Sequence, residues 1–127
     1  KELAGRIVAV QVYTTSLTAV EAMKKSVIAI KDIKTFPGAS DSISALKAGQ
    51  ANVIVTDEAV GRYYTGLDPK TFIVSGEAMK PEPIGIAVKK SDTKLFKALE
   101  AAVKTIKANG TYAKIYKEWL KTAPPAP

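Results

Sequence analysis

The chain contains neither cysteine nor histidine among its 127 residues. Without cysteine, the sequence can form no disulfide bond and offers no thiol nucleophile, and its redox compartment stays open. Without histidine, it lacks the commonest metal ligand and the commonest general base of proteins. The carboxylates are scattered and do not show the spacing of a metal site. We therefore expect no metal, no other cofactor and no catalytic residue, which means that the protein is not an enzyme.

Arginine is also scarce, although the formal net charge is +7. The two arginines, Arg6 and Arg62, are far apart, and the lysines concentrate in residues 90–127. Nucleic-acid surfaces usually combine clustered cations with exposed aromatic residues, so we expect no nucleic-acid partner and interpret the lysines as a solvated helical surface. No apolar run reaches the roughly 20 residues that span a bilayer. The sequence shows no signal peptide, and we expect a mature or trimmed form.

Strand-like and helix-like segments alternate along most of the chain. The segment 6–12 is apolar on both faces, as in a strand that is covered on both sides. Further strands are predicted at 30–36, 51–56, 70–75 and 84–89, with helices between the earlier ones and two more helices after residue 90. This order predicts an α/β domain with a mostly parallel sheet flanked by helices. We divide the chain into an α/β domain at 1–89, a helical segment at 90–121 and a Pro-rich tail at 122–127.

Helix starts and one apolar stripe complete the prediction of secondary structure. Thr18 and Glu21 have the spacing of a capping box for the first helix. The other predicted caps are Ser40 or Asp41, Ser91 or Asp92, Asp57, and Thr111. The last helix carries a stripe at full helical spacing, which we interpret as core: Tyr112, Ile115, Tyr116, Trp119 and Leu120.

Four hydroxyl-bearing residues, Tyr13, Thr14, Thr15 and Ser16, stand between the first predicted strand and the first helix. In parallel sheets, ligands bind beyond the carboxyl ends of the strands, where helices begin. The dipole and the first N–H groups of a helix favour an anion there, such as the carboxylate of a small metabolite. Serine and threonine are also the usual helix caps, and spacing alone leaves both functions open.

Thr56 and Asp57 occupy the equivalent junction after the third predicted strand. Aspartate is a good N-cap, but a carboxylate at this place is also suited to receive a cation such as an α-ammonium group. An anion site at 14–16 and a carboxylate at Asp57, at adjacent strand ends, would together recognise an amino-acid zwitterion. The pairing favours a binding site over capping alone.

Four segments resemble bacterial periplasmic solute-binding proteins for polar amino acids, in the order of that family and over almost the whole chain. LAGRIVAVQ at 3–11, followed by YTTS at 13–16, resembles the start of the family's second lobe. ALKAGQANVIVTD at 45–57 is similar to the segment that carries the family's ligand-binding aspartate. PEPIGIAVKK at 81–90 resembles the return toward the first lobe, and KANGTYAKIYKEW at 107–119 resembles the family's C-terminal end.

The resemblance implies a lobe of the type II periplasmic-binding-protein fold, in a protein that closes on an amino acid and delivers it to the membrane subunits of an ABC importer. It places Thr15 where the backbone N–H, and often the hydroxyl, binds the ligand carboxylate, with Thr14 beside it. It places Asp57 at the α-amino group, and Gln11 and Thr56 where they face the ligand side chain. The location it implies is periplasmic or extracellular, with a lipid anchor in Gram-positive hosts.

Tyr13 and Ser16 complete the set of residues that we expect to bind the ligand. The family usually has glycine at the position of Tyr13, which lets the backbone approach a ligand closely. Tyr13 would either crowd the carboxylate or stack on the ligand. The family's first-lobe segment, with its aromatic walls and an arginine for the carboxylate, is absent from this sequence. We therefore expect weak binding and either a homodimer or a first-lobe partner.

Two other functions remain open from the sequence. An enzyme on the same fold, similar to cyclohexadienyl dehydratases, would need an acid or base facing the ligand, for which Asp57 or Glu58 is the local candidate. A sensor or interaction domain that kept the fold and lost ligand binding is the other alternative, and Tyr13 is the feature that favours it.

Overall fold

Three strands alternate with three helices, and two further helices follow, in the residues that the computed structural model describes, which are 3–26, 28–76, 79 and 84–124. The elements are β1 Ile7–Gln11, α1 Thr15–Ser26, β2 Asp32–Phe36, α2 Ala39–Lys47, β3 Val53–Val55, α3 Glu58–Leu67, α4 Thr93–Ala108 and α5 Thr111–Leu120. The predicted α/β class with a parallel sheet and flanking helices is confirmed.

The described sheet is parallel, with the strand order β2-β1-β3. The chain moves from β1 to β2 on one side and then back across β1 to β3 on the other side. Parallel crossovers are almost always right-handed, so two crossovers in opposite directions place α1 and α2 on opposite faces of the sheet. Both helices contact all three strands. The central strand β1 is thereby covered on both faces, as its apolar sequence predicts.

The core is centred on β1. Val8, Ala9 and Val10 are completely buried, and successive side chains of a strand point to opposite faces. Val8 packs with Val20 of α1 and with Ile30, which places α1 on the Val8 face. The small side chain of Ala9 lies on the opposite face, on which right-handed crossovers place α2.

Asn52 anchors the start of β3 to the start of β1. The N–H of Ile7 donates to Asn52 Oδ1 over 2.9 Å, and the N–H of Asn52 donates to the carbonyl oxygen of Ile7 over 2.8 Å. The two bonds fix the relative position of these strands at one end, and the pairing of Val8 with Val53 and of Val10 with Val55 follows from it. The carboxyl ends of β1 and β3 are therefore held side by side.

The fourth and fifth predicted strands, at 70–75 and 84–89, are wrong. Neither segment joins a ladder in the described chain, and the side chains of Ile73 and Ile84 are each 86% exposed. β-branched residues and alternation fit a strand, but a strand exists only where a neighbouring strand accepts its hydrogen bonds. The described sheet ends at β2 and β3, and neither edge takes up these segments.

Several predicted helix caps are also wrong. α2 begins directly after Gly38, so that Ser40 and Asp41 lie inside its first turn. α5 begins at Thr111 with Gly110 as its N-cap, at φ 80°, a conformation that glycine adopts without strain. Neither helix start has a side-chain cap hydrogen bond, and so a search for capping side chains does not detect these boundaries. The cap of α4 is confirmed as Asp92, whose Oδ1 accepts the N–H of Leu95 over 2.9 Å.

The last two helices form a layer beside α3. α5 contacts both α3 and α4, and the rings of Tyr63 and Trp119 stack with centroids 6.4 Å apart. Burial raises the pKa of the Tyr116 phenol, with a smaller contribution from the nearby Glu58 carboxylate. The interpretation of the α5 stripe as core is wrong for Ile115 and Trp119, which are 47% and 57% exposed, although the Trp119 ring stacks on Tyr63 of α3.

No helix in the described part of the chain has the length and apolarity that crossing a bilayer requires. The resemblance to the return toward the first lobe includes residues 81–83, and the predicted Pro-rich tail includes residues 125–127. Both of these short stretches lie outside the described residues.

Shortening the Val20 side chain will destabilise the fold. Val20→Ala removes two methyl groups from a fully buried position against Val8, so we expect a loss of about 1–2 kcal/mol in the free energy of unfolding, measured by urea denaturation. Ile73→Ala is the control, because its side chain is 86% exposed, and it should change stability by less than about 0.5 kcal/mol. Equal effects of both substitutions would contradict the assignment of the core.

Candidate functional site

The carboxyl edge of the sheet brings the two polar junctions together. Val10 and Val55 are paired residues of the neighbouring strands β1 and β3. One residue further along each strand stand Gln11 and Thr56, both partly buried, and the chain then turns into a helix in both cases. The predicted site residues from both junctions therefore share one edge of the sheet. This edge is where open parallel sheets bind ligands.

Thr14 is the cap of α1. Its Oγ1 accepts the N–H of Leu17 over 3.2 Å, and its hydroxyl donates to the carbonyl oxygen of Gln11 over 2.8 Å. The predicted capping box at Thr18 is therefore wrong, because Thr18 lies inside the helix and its N–H donates to the Thr14 carbonyl oxygen over 3.4 Å. The Thr14 hydroxyl therefore donates its hydrogen bond to Gln11, the last residue of β1, and holds the start of α1 in place.

The end of β1 is also tied to the end of β2. The N–H of Val12 donates to the carbonyl oxygen of Phe36 over 2.9 Å. The side-chain amide of Gln11 donates to the carbonyl oxygen of Pro37 over 3.3 Å, which leaves its Oε1 as the acceptor atom of that amide. The loop after β1 is therefore held from three directions, by β2, by the Pro37 turn and by the cap of α1.

The N-terminus of α1 has the electrostatic character of an anion site. Thr15 and Ser16 form the start of this 12-residue helix, with Thr15 exposed and Ser16 partly buried. No acidic side chain lies in the first turn, and Lys24 and Lys25 lie in the last turn. The positive end of the helix dipole is thus not offset by a carboxylate in its own first turn, and it favours an external anion by about 0.3–1 kcal/mol.

Asp57 stands at the N-cap position of α3 and yet does not cap the helix with its side chain. Its carbonyl oxygen accepts the N–H of Gly61 over 3.0 Å, whereas the exposed carboxylate makes no capping hydrogen bond in the described structure. The neighbouring carboxylate belongs to Glu58, which accepts from Arg62 Nε over 2.6 Å along the same helix. Of these two carboxylates, Asp57 is the one that no described side chain engages.

Tyr13 adopts a conformation that the sequence does not reveal. Its φ is 60°, in the left-handed region that favours glycine, and its side chain is 100% exposed. The predicted site residues at the β1 junction and those at the β3 junction thus lie on one edge, with Tyr13 projecting from it. The capping function that the sequence left open for the hydroxyl cluster is confirmed at Thr14, whereas the left-handed backbone of Tyr13 carries no sequence signal.

A separate groove lies between α2 and α3, with a volume of about 400 Å³. Lys47 Nζ and Asp68 Oδ2 form an ion pair at 3.0 Å in its lining, and the Lys47 ammonium lies 5.3 Å from the centre of the Phe72 ring. The hydrogen bond from Lys47 lowers the pKa of the Asp68 carboxyl. These partners satisfy one another, and the arrangement fastens the end of α3 to α2.

Comparison with protein families gives one match over most of the chain. The sequence model of "Bacterial extracellular solute-binding proteins, family 3" matches residues 7–122. A curated relative is the "ABC transporter glutamine-binding protein GlnH" of Bacillus subtilis (strain 168), which is 37% identical over 89 residues. That match covers 70% of this chain and 32% of the relative, so the chain spans about a third of that protein's length.

Solved structures show the same relationship. An ancestral arginine-binding protein bound to arginine is 35% identical to this chain, with a TM-score of 0.72, and the match covers 93% of this chain and 52% of that protein. A P235GK mutant of ArgBP from T. maritima is 30% identical, with a TM-score of 0.68, and the match covers 95% of this chain and 50% of that protein. The chain therefore corresponds to about half of each of these binding proteins.

Removing the Thr14 hydroxyl will destabilise α1 from its first turn. Thr14→Ala deletes the acceptor of the Leu17 N–H and the donor to Gln11, so we expect a loss of about 1 kcal/mol in the free energy of unfolding, measured by urea denaturation. Thr18→Ala is the matched control inside the same helix, where alanine is the better helix former, and it should not destabilise the protein. A larger loss of unfolding free energy for Thr18→Ala than for Thr14→Ala would instead support a capping box at Thr18.

Proposed function

Because this chain belongs to family 3 of the bacterial extracellular solute-binding proteins, we propose that it is one lobe of a receptor that captures a polar amino acid for an ABC importer. One observation carries the proposal. The N-terminus of α1, which favours an anion, and the exposed carboxylate of Asp57, which favours a cation, follow adjacent strands at one edge of the sheet. An α-amino acid presents both charges on neighbouring atoms.

The α-carboxylate of the ligand would bind at the start of α1. The backbone N–H groups of Thr15 and Ser16, in the first turn, are the proposed donors, together with the Thr15 hydroxyl. Thr14 acts on the ligand through its cap, because it sets the direction of that turn. The charge preference of the helix end supports this orientation of the amino acid.

The α-ammonium group would bind to the Asp57 carboxylate. A charge-assisted hydrogen bond of this kind is about twice as strong as a neutral one. Gln11 Oε1 and the Thr56 hydroxyl lie on the same edge and would face the ligand side chain. Since Gln11 offers an acceptor and Thr56 offers both a donor and an acceptor, these two residues suit a polar side chain.

The similarity to named receptors supports the same ligand class. One relative is described as glutamine-binding and one matched structure as an arginine-binding protein bound to arginine, and both of these ligands are amino acids with a polar, nitrogen-bearing side chain. The proposed receptor works outside the cytoplasmic membrane, in the periplasm or at the cell surface, with a lipid anchor in Gram-positive hosts. It delivers the amino acid to the membrane subunits of the importer.

A partner for the exposed apolar side chains of the C-terminal helices is the second part of the proposal. These side chains are 45–57% exposed on α4 and α5: Leu95, Phe96, Ile115 and Trp119. We assign residues 1–89 to the ligand-binding lobe and residues 90–121 to a helical segment that packs on the first lobe. Where the first lobe is not present, a second copy of the chain would cover the same side chains, because exposed apolar surface favours association.

An enzymatic function finds less support in the same geometry. A general acid or base usually sits in a partly desolvated site that shifts its pKa toward neutrality. Asp57 is exposed, and Glu58 is exposed and paired with Arg62. The matched family consists of binding proteins.

An NMR titration of this chain with amino acids tests the binding site. We expect saturable amide shifts at Thr15, Ser16 and Asp57, with a Kd of roughly millimolar, because about half of the contacts of a micromolar receptor would be present. Asp57→Asn removes the charge that binds the ammonium and should weaken binding about 10-fold or more. Glu58→Gln is the matched control at the next residue, and it should bind like the parent chain because Glu58 is occupied by Arg62.

Two outcomes would overturn the proposed site. If no amino acid shifts these amides at concentrations well above millimolar, in this chain and in a chain that includes a first lobe, the fold has lost ligand binding and the sensor alternative stands. If Asp57→Asn and Glu58→Gln weaken binding equally, the carboxylate of Asp57 is not the ammonium partner.

Sedimentation across a concentration series tests the apolar surface. We expect the chain to self-associate, and we expect Ile115→Ser to reduce association because this side chain is 47% exposed on α5. Lys114→Ser is the neighbouring control, which removes an exposed lysine and should leave association unchanged. A chain that is monomeric at every concentration and that does not bind the dye ANS would contradict the assignment of these side chains to an interface.

A further inference from the structure

Tyr13 has a backbone conformation that is unfavourable for any residue with a Cβ atom. Its φ of 60° brings the Cβ atom of an L-residue close to the following carbonyl oxygen, and glycine is the residue that avoids this contact. Among the described non-glycine residues, only Tyr13 and Lys121 have a positive φ. Lys121 ends α5, where a left-handed residue is the usual way to terminate a helix. Tyr13 lies at the start of a helix, where no such need exists.

Packing of the Tyr13 side chain does not offset this cost. The side chain of Tyr13 is 100% exposed, so it buries no apolar surface and stabilises no neighbouring element. Strained residues whose strain is not repaid by packing concentrate at functional sites. The benefit of a tyrosine at this position therefore lies in something that binds to this edge of the sheet.

The backbone around Tyr13 is fixed on both sides. The N–H of Val12 donates to Phe36, and the hydroxyl of Thr14 donates to Gln11 while it accepts from Leu17. Tyr13 cannot leave the left-handed region unless one of these bonds breaks. The attachment point of the ring is thus held in place, and the side chain has only its two χ angles to adjust.

The surroundings of Tyr13 determine which part of a bound amino acid its ring can contact. Tyr13 stands between the end of β1 and the first turn of α1, which has no acidic side chain, and Asp57 follows the adjacent strand. The two charged groups of an amino acid bound at this edge are engaged by the helix end and by Asp57. What remains of such a ligand to contact an aromatic ring is its side chain.

We propose that Tyr13 determines specificity by stacking its ring on the planar end of an amino-acid side chain, namely a guanidinium, ureido or carboxamide group. This inference rests on the proposed function and deepens it. Planar delocalised groups stack on aromatic faces, and a guanidinium adds a cation–π attraction. A saturated hydrocarbon end gains less from the same face. Tyr13 acts on the ligand directly and leaves the capture of the two α-substituents to Thr15 and Asp57.

The test compares three ligands by NMR titration on the parent chain, on Tyr13→Gly and on Tyr13→Phe. L-Arginine and L-citrulline have planar ends, and L-norleucine has a saturated end. Tyr13→Gly should weaken arginine and citrulline about two- to five-fold and leave norleucine unchanged. Tyr13→Phe keeps the ring and should bind all three ligands like the parent chain. Tyr13→Gly should remain folded, because the lost side chain makes no packing contact and glycine suits the backbone.

Lys121→Gly is the matched control for relief of backbone strain. It places glycine at the other left-handed position, at φ 55°, at the end of α5 next to Gly66. It should leave the affinities for all three ligands unchanged. If Lys121→Gly changed them as Tyr13→Gly does, the effect would come from general stability and the stacking proposal would fail.

The outcomes separate the two proposals. If the parent chain binds none of the three ligands at Thr15 and Asp57, the amino-acid site itself is wrong. If the ligands bind but Tyr13→Gly lowers the affinity for all three equally, or raises it, the Tyr13 ring does not distinguish between ligand side chains. In that case the stacking proposal alone is overturned. Selective loss of arginine and citrulline with retention by Tyr13→Phe is the result that supports it.

Discussion

The pairing of β1 with both of its neighbours is the interaction on which the rest of this molecule depends. β1 is the only described strand with a partner on each side, and its residues Val8 to Val10 are completely buried between the two helical layers. Because β2 and β3 lie parallel to it, the three chain segments that leave the sheet all leave from the same edge. The polar residues that follow β1 and β3 are thereby brought to the same end of the sheet.

Backbone groups and side chains have different roles in the candidate site. The Thr14 hydroxyl is used in hydrogen bonds within the turn, so the proposed anion site consists of the backbone N–H groups at the start of α1. The Asp57 carboxylate makes no capping hydrogen bond to α3. The same residue type at two junctions would not produce this arrangement. It arises because a threonine caps one helix, whereas the other helix begins with an aspartate whose neighbour, Glu58, is paired with Arg62.

Three features could be predicted from the sequence: the alternation of strands and helices, the three strands of the described sheet and the identity of the junction residues. An apolar run such as that of β1 can be recognised as a strand because a strand that is buried on both faces has few polar residues. The segments at 70–75 and 84–89 were misassigned because β propensity is local, whereas strand pairing depends on a neighbour that the sequence does not specify. The left-handed backbone of Tyr13 could not be predicted either, since a tyrosine at such a φ contradicts its own preference and is set by the bonds of Val12 and Thr14.

The small sheet has a consequence for how the lobe behaves when it is separate from other chains. A three-stranded sheet presents two edges, and open edges are templates for pairing with strands of other molecules. Here the β3 edge offers only three residues, and the β2 edge carries Asp32 and Lys34 within its five. Short length and charge at an edge are the features by which natural sheets avoid amyloid-like growth. The outer strands of the described sheet therefore carry the features that oppose edge-to-edge pairing, whereas the exposed apolar side chains of the described chain include those of α4 and α5.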